Sequence, residues 1–170
     1  MADAKTGRAV ALIGELVERA HDALQPPLNK RALTGAIDEA FAFELWTRFI
    51  IRKHRRAFTI RQRVEMRRLL PGYMAGLYVR QFDRGMRKRP TVGRPHGVRK
   101  DVMVPTSYPG RNGRDLPVHW RVRIIRGRAQ VIDVMVAGTS FIQLKREEFS
   151  AVIQRRGAEG LLDHLSEKGL

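Results

Sequence analysis

Val118-His119-Trp120-Arg121-Val122-Arg123-Ile124, then Arg126-Gly127, then Gln130 through Val136, is the stretch that decides the fold. In the first segment Val118, Trp120, Val122 and Ile124 alternate with His119, Arg121 and Arg123. A period of two predicts a strand with one buried and one wet face, which puts Arg121 and Arg123 on the solvent side. Arg126-Gly127 reads as a tight turn. The second segment is almost continuously apolar, with Ile132, Val134 and Val136 around the single acid Asp133. The two runs predict an antiparallel hairpin. Upstream, Val102 and Val104 alternate with Asp101 and Met103, and Pro109-Gly110-Arg111-Asn112-Gly113 supplies the intervening turn. Gly138 is expected to end the sheet, and Asp133 to sit outward, paired with an arginine.

Outward from the hairpin the period changes to that of helices. Val10, Ile13, Val17, Ala20 and Leu24 recur at steps of three and four up to Pro26-Pro27. Ile37, Phe41, Leu45 and Phe49 predict a second helix. Thr59-Ile60-Arg61-Gln62 has the form of a capping box that starts a third. Its stripe is Met66, Leu70, Tyr73 and Leu77, with Tyr78 and Phe82 adjoining, and Pro71-Gly72 predicts a kink or two abutting helices. After Gly85 the turn-rich passage begins. Beyond the sheet, a helix bearing Phe149, Val152 and Ile153 is expected to stop at Gly157, followed by a short one with Leu161, Leu162 and Leu165. Helices, then strands, then helices define an α+β domain with an antiparallel sheet. We divide the single domain 1–170 into a helical part 8–84, a sheet 90–137 and C-terminal helices 140–167.

The chemistry available is limited. His21, His54, His96, His119 and His164 stand at no metal-ligand spacing, and cysteine is absent. Ser140 follows a strand in Gly138-Thr139-Ser140 but lacks the second glycine of a nucleophile elbow, so helix capping is its expected role. Neither a P-loop nor a dinucleotide fingerprint occurs. The reading is of a non-enzyme with no metal and no cofactor. No apolar run reaches the roughly 18 residues that cross a bilayer. The first residues have no apolar core of the signal-peptide kind; a mature exported protein with an added Met would begin this way.

Charge points to polyanions. The net formal charge is +16, and between Arg48 and Arg68 Glu65 is the sole acid among many Lys and Arg. A basic nucleic-acid-binding domain is therefore the alternative reading. Phe58 is the only aromatic of that segment outside the expected buried stripe, and no recognised nucleic-acid module stands out, so specific nucleic-acid binding is not expected.

The run Val131 to Ile142, followed by Phe149 to Ile153, Gly157 and Leu161 to Leu165, resembles the C-terminal signature of the MlaC family. These are periplasmic phospholipid-binding proteins, also called toluene-tolerance auxiliary proteins. Asp133, Gly138, Ser140 and Phe149 match the pattern, as do Thr59, Gln62 and Arg63 and the spaced Tyr73 and Tyr78. The chain departs from it at Ala129, Ile132 and Ala137, where the family carries Trp, an aromatic and Glu.

The resemblance implies a nuclear-transport-factor-2-like fold, helices packed on a curved antiparallel sheet around an internal apolar lipid pocket. It further implies a periplasmic location. The carrier would shuttle phospholipid between an outer-membrane lipoprotein complex and an inner-membrane ABC transporter with its lipid-binding subunit. An acyl chain of about sixteen carbons left in water costs on the order of 13 kcal/mol, so a carrier must enclose nearly all of it. One expected wall is the sheet face of Val102, Val104, Val118, Trp120, Val122, Ile124, Ile132, Val134 and Val136. The other is the helix stripe of Leu70, Tyr73, Leu77 and Tyr78.

Overall fold

A computed structural model describes residues 2–83 and 88–170, with the side chains of Ala2, Phe82, Asp83 and Arg111 outside the described set. The Phe82 side chain and Gly85, named above, therefore fall outside the described set. The order is α1 (Ala2–Leu24), α2 (Lys30–Ala40), α3 (Phe43–Ile50), a 3-10 turn (Arg52–Ala57) and α4 (Ile60–Asp83). Strands β1 (Thr91–Val92), β2 (His96–Val98), β3 (Asp101–Tyr108), β4 (Leu116–Ile125), β5 (Arg128–Val136) and β6 (Thr139–Ser140) follow, then α5 (Phe141–Lys168). Among the described residues no helix is long and apolar enough to cross a membrane.

All strand pairs are antiparallel, in the order β1-β3-β4-β5-β6, with β2 beside β3. The hairpin forms as its sequence requires. Arg126 and Gly127 carry φ of 50° and 80°, the left-handed pair that a two-residue turn matched to strand twist demands. Val122 pairs with Val131 while Arg121 pairs with Asp133, so Ile132 is an extra residue in a β-bulge. The sheet does not end at Gly138: β6 adds Thr139 and Ser140 against Val136 and Met135.

The helices depart from the expected pattern at two places. The stripe Ile37, Phe41, Leu45, Phe49 is not one helix. Phe41 is extended (φ −95°, ψ 144°) and forms a parallel bridge with Val131. The Ala42 N–H and the Trp46 indole N–H both donate to the Val131 carbonyl, at 2.9 and 3.2 Å. Two donors drawn to one buried strand carbonyl outweigh a continued helix, and α3 then buries Phe43, Trp46 and Ile50 while Leu45 and Phe49 stay half-buried.

Pro71, in turn, does not divide α4. The helix runs through it, with Met66 and Leu70 buried before the proline and Tyr73 and Ala75 after it. Packing of this face on α2, α3 and α5 offsets the backbone bond that proline removes. The Leu170 N–H also donates to the Gly72 carbonyl at 3.2 Å. The capping box is present as read: Thr59 N donates to Gln62 Oε1 (2.8 Å), and Gln62 N to Thr59 Oγ1 (3.1 Å). Gly157, at φ 68° and ψ −170°, interrupts α5 where a C-cap was expected, and the Leu161, Leu162 and Leu165 segment follows it.

Candidate functional site

The alternation of β3 and β4 builds one apolar sheet face. Val102 lies opposite Val122, Val104 opposite Trp120, and Thr106 opposite Val118; Trp120 and Val118 in turn face Val134 and Val136 on β5. Val102, Val104, Val118, Trp120, Val122, Ile132 and Val134 are buried, and Ile124 and Val136 are half-buried. The buried indole of Trp120 is satisfied: its N–H donates to Thr106 Oγ1 (3.0 Å), and Thr106 donates to the Val118 carbonyl (2.5 Å).

On the helical side, α1 lies across β3, β4 and β5 and contributes Ile13, Leu16, Val17 and Ala20 to the core. Its stripe was visible in the sequence, yet nothing local said which element it would cover. Phe41 brings its ring 6.3 Å from Trp120, edge to face, and 5.3 Å from both Phe43 and Trp46. In the α4 stripe, Leu70 and Tyr73 are buried and Leu77 and Tyr78 half-buried. Tyr73 packs at 5.4 Å on Phe149 of α5 and beneath Lys145. Tyr78 reaches the sheet, its hydroxyl 2.8 Å from that of Tyr108 at the end of β3. Tyr108 was missed in the sequence, although it continues the period-two series Val102, Val104, Thr106. Burial pushes the phenols of Tyr108, Tyr78 and Tyr73 all above the ordinary tyrosine value.

Three cavities of about 390, 370 and 350 Å³ lie elsewhere, and none is lined by any of the expected wall residues. The sheet face and the helices instead form one packed core, joined across the Tyr78–Tyr108 pair. Among the described residues no group of three or more metal-ligating side chains occurs.

Two charge assignments change. Asp133 is buried, and among the described residues it forms no ion pair with an arginine, although Arg121 is its register partner on β4. It accepts from the backbone N–H of Val134 (2.7 Å) and of Ile142 (3.1 Å), and from the Ser140 hydroxyl (2.5 Å). Ser140 also accepts from Gln143 N (3.4 Å), so the two residues together cap α5. Arg121 and Arg123 are not free cations on the solvent face. Both bind Asp101, whose side chain is fully buried, at 2.7 and 2.6 Å. Burial pushes the Asp101 carboxyl up, but the Arg123 and Arg121 guanidiniums outweigh it and hold it below the usual aspartate value.

Among the described residues, five helices on an open six-stranded antiparallel sheet, with an apolar face turned to the helices, define a two-layer α+β domain. The MlaC protein family model matches residues 12–167, and the chain belongs to that family. No curated protein matches the sequence. A solved structure of a phospholipid-binding protein from Ralstonia solanacearum, in complex with a phospholipid, has the same fold: TM-score 0.76, 18% identity, 96% of each chain covered.

Proposed function

We propose that this chain is a phospholipid carrier of the periplasm that moves lipid between an outer-membrane lipoprotein complex and an inner-membrane ABC transporter. Membership of the MlaC family over residues 12–167 carries the reading. Support comes from the same fold in a protein that holds a phospholipid, and from the apolar sheet face Val102, Val104, Val118, Trp120, Val122 and Val134. Acyl tails lie between this face and the helices, with Leu70, Tyr73, Leu77, Tyr78, Ile124, Ile132 and Val136 completing the enclosure. Since Tyr78 and Tyr108 join helix to sheet, entry of a tail parts that pair and separates α1 and α4 from β3. The chain works by binding, and the lipid is cargo.

Native mass spectrometry of gently purified protein tests this. Added masses of phospholipid size, or their appearance after incubation with liposomes, are expected. Val122→Trp, at a fully buried position of the packed core, should cost about 1–3 kcal/mol by overfilling, leave the protein folded and abolish lipid uptake. A wild-type protein that stays lipid-free after liposome incubation overturns the reading. If Val122→Trp fails to fold, the position is core and the tail lies elsewhere.

A further inference from the structure

The most exposed large apolar side chains of the described residues are neighbours. Ile60 is 79% and Val64 64% exposed, one turn apart on the first turns of α4. A helix that buries Met66, Leu70 and Tyr73 has no packing reason to place two β-branched aliphatics in water at its other face. Immediately before them, Arg52, Lys53, Arg55 and Arg56 are exposed, and Arg61 lies between them. None of these five cations forms a salt bridge among the described residues, whereas Arg67 and Arg68 nearby are paired with Asp38 and Glu65.

The arrangement is fixed in advance. Arg63 donates from Nη2 to the carbonyls of Arg55 (2.9 Å) and Phe58 (3.0 Å), clamping the 3-10 turn onto the start of α4. The Thr59–Gln62 capping box holds the junction, and Gln62 extends to Glu159 of α5 at 2.6 Å. A rigid platform thus presents two aliphatic side chains beside a group of free cations.

We propose that this face docks on the surface of an anionic lipid bilayer, with Ile60 and Val64 entering the headgroup layer and Arg52, Lys53, Arg55, Arg56 and Arg61 on the lipid phosphates. An interfacial lipid site needs a cationic polar zone and a small apolar wedge. Single-stranded nucleic acid calls for stacking rings, and Phe58, the aromatic of this segment, is only 3% exposed, while a duplex would leave Ile60 and Val64 without an apolar partner. A protein partner needs an apolar contact core well beyond two side chains ringed by long, mobile cations. The docking goes beyond tail binding and does not depend on it: the surface residues share no wall with the sheet face.

The test uses the whole protein with phosphatidylglycerol and phosphatidylcholine vesicles. The native Trp46 and Trp120 are buried, so Ile60→Trp reports on the surface. Its emission should shift to the blue with phosphatidylglycerol vesicles at physiological salt and stay unchanged with phosphatidylcholine. Each cation near an anionic surface contributes about fivefold in affinity, so the combined R52Q/K53Q/R55Q/R56Q variant should lose at least about a hundredfold in partitioning. I60S/V64S should lose about tenfold and leave binding that salt abolishes steeply. Unchanged circular dichroism of these surface variants establishes that they fold. Equal binding to both vesicle types, wild-type partitioning of I60S/V64S, or no blue shift overturns the proposal. So does binding to polyglutamate or duplex DNA at physiological salt that matches vesicle binding and leaves the emission of the Ile60→Trp variant unshifted, which would assign the face to an acidic protein or to nucleic acid.

Discussion

The Tyr78 hydroxyl lies 2.8 Å from the Tyr108 hydroxyl, and this contact fastens α4 to the end of β3. Two phenols that lose water on folding satisfy one another there. The pair joins helix to sheet, so its strength bears on stability and, in the carrier reading proposed above, on loading as well.

Replacing only one member leaves the other hydroxyl buried without a partner. Tyr78→Phe or Tyr108→Phe should destabilise the protein by about 1–3 kcal/mol, and the double variant should lose less than the two singles together. Urea denaturation of the three variants measures this. Single variants as stable as wild type would show that the contact fastens nothing. The same pair sets an alkaline limit. Folded-state phenols held above the ordinary value contribute stability that is complete below the unfolded tyrosine value near 10 and is lost as pH rises beyond it. Ultraviolet titration should therefore show Tyr78 and Tyr108 ionising only as the protein unfolds.

Asp101 governs the acid side. Its carboxyl, held low by Arg123 and Arg121, contributes stability above the unfolded aspartate value of about 3.9 that disappears as pH falls through the folded value. Asp101→Asn should remove that part of the acid dependence and cost about 2 kcal/mol at neutral pH, since two partly buried guanidiniums lose their anion. Denaturation midpoints of wild type and variant between pH 2 and 7 check it. Parallel curves at all pH values would exclude Asp101 as the source.

Asp133 and Ser140 hold the start of α5. Ser140→Ala should cost about 1 kcal/mol, the ordinary loss of a helix cap. Asp133→Ala should cost more, about 2–3 kcal/mol, because it strands the buried N–H groups of Val134 and Ile142 as well. Hydrogen exchange at Ile142 and Gln143 should accelerate in both variants. Equal and small losses would mean that solvent replaces the carboxylate.

What the sequence determined alone is whatever depends on neighbours within a few residues. The period of two from Val118 to Ile124, the Arg126-Gly127 turn, the Thr59–Gln62 box and the break at Gly157 all arise from local backbone geometry and nearby side chains. Tertiary structure decided what depends on distant backbone groups. The buried Val131 carbonyl, beside a bulge, drew the Ala42 and Trp46 donors and split a helix that Ile37, Phe41, Leu45 and Phe49 outlined as continuous. The register of β3 on β4 brought Arg121 and Arg123 to Asp101, and the return of β6 on β5 brought Ser140 to Asp133. Which helix covers the apolar sheet face was likewise not local: α1 and α4 carry similar stripes, and only packing placed α1 across the strands and α4 against α5. Periodicity states that a face is buried; the partner that buries it is chosen by the free energy of the whole core.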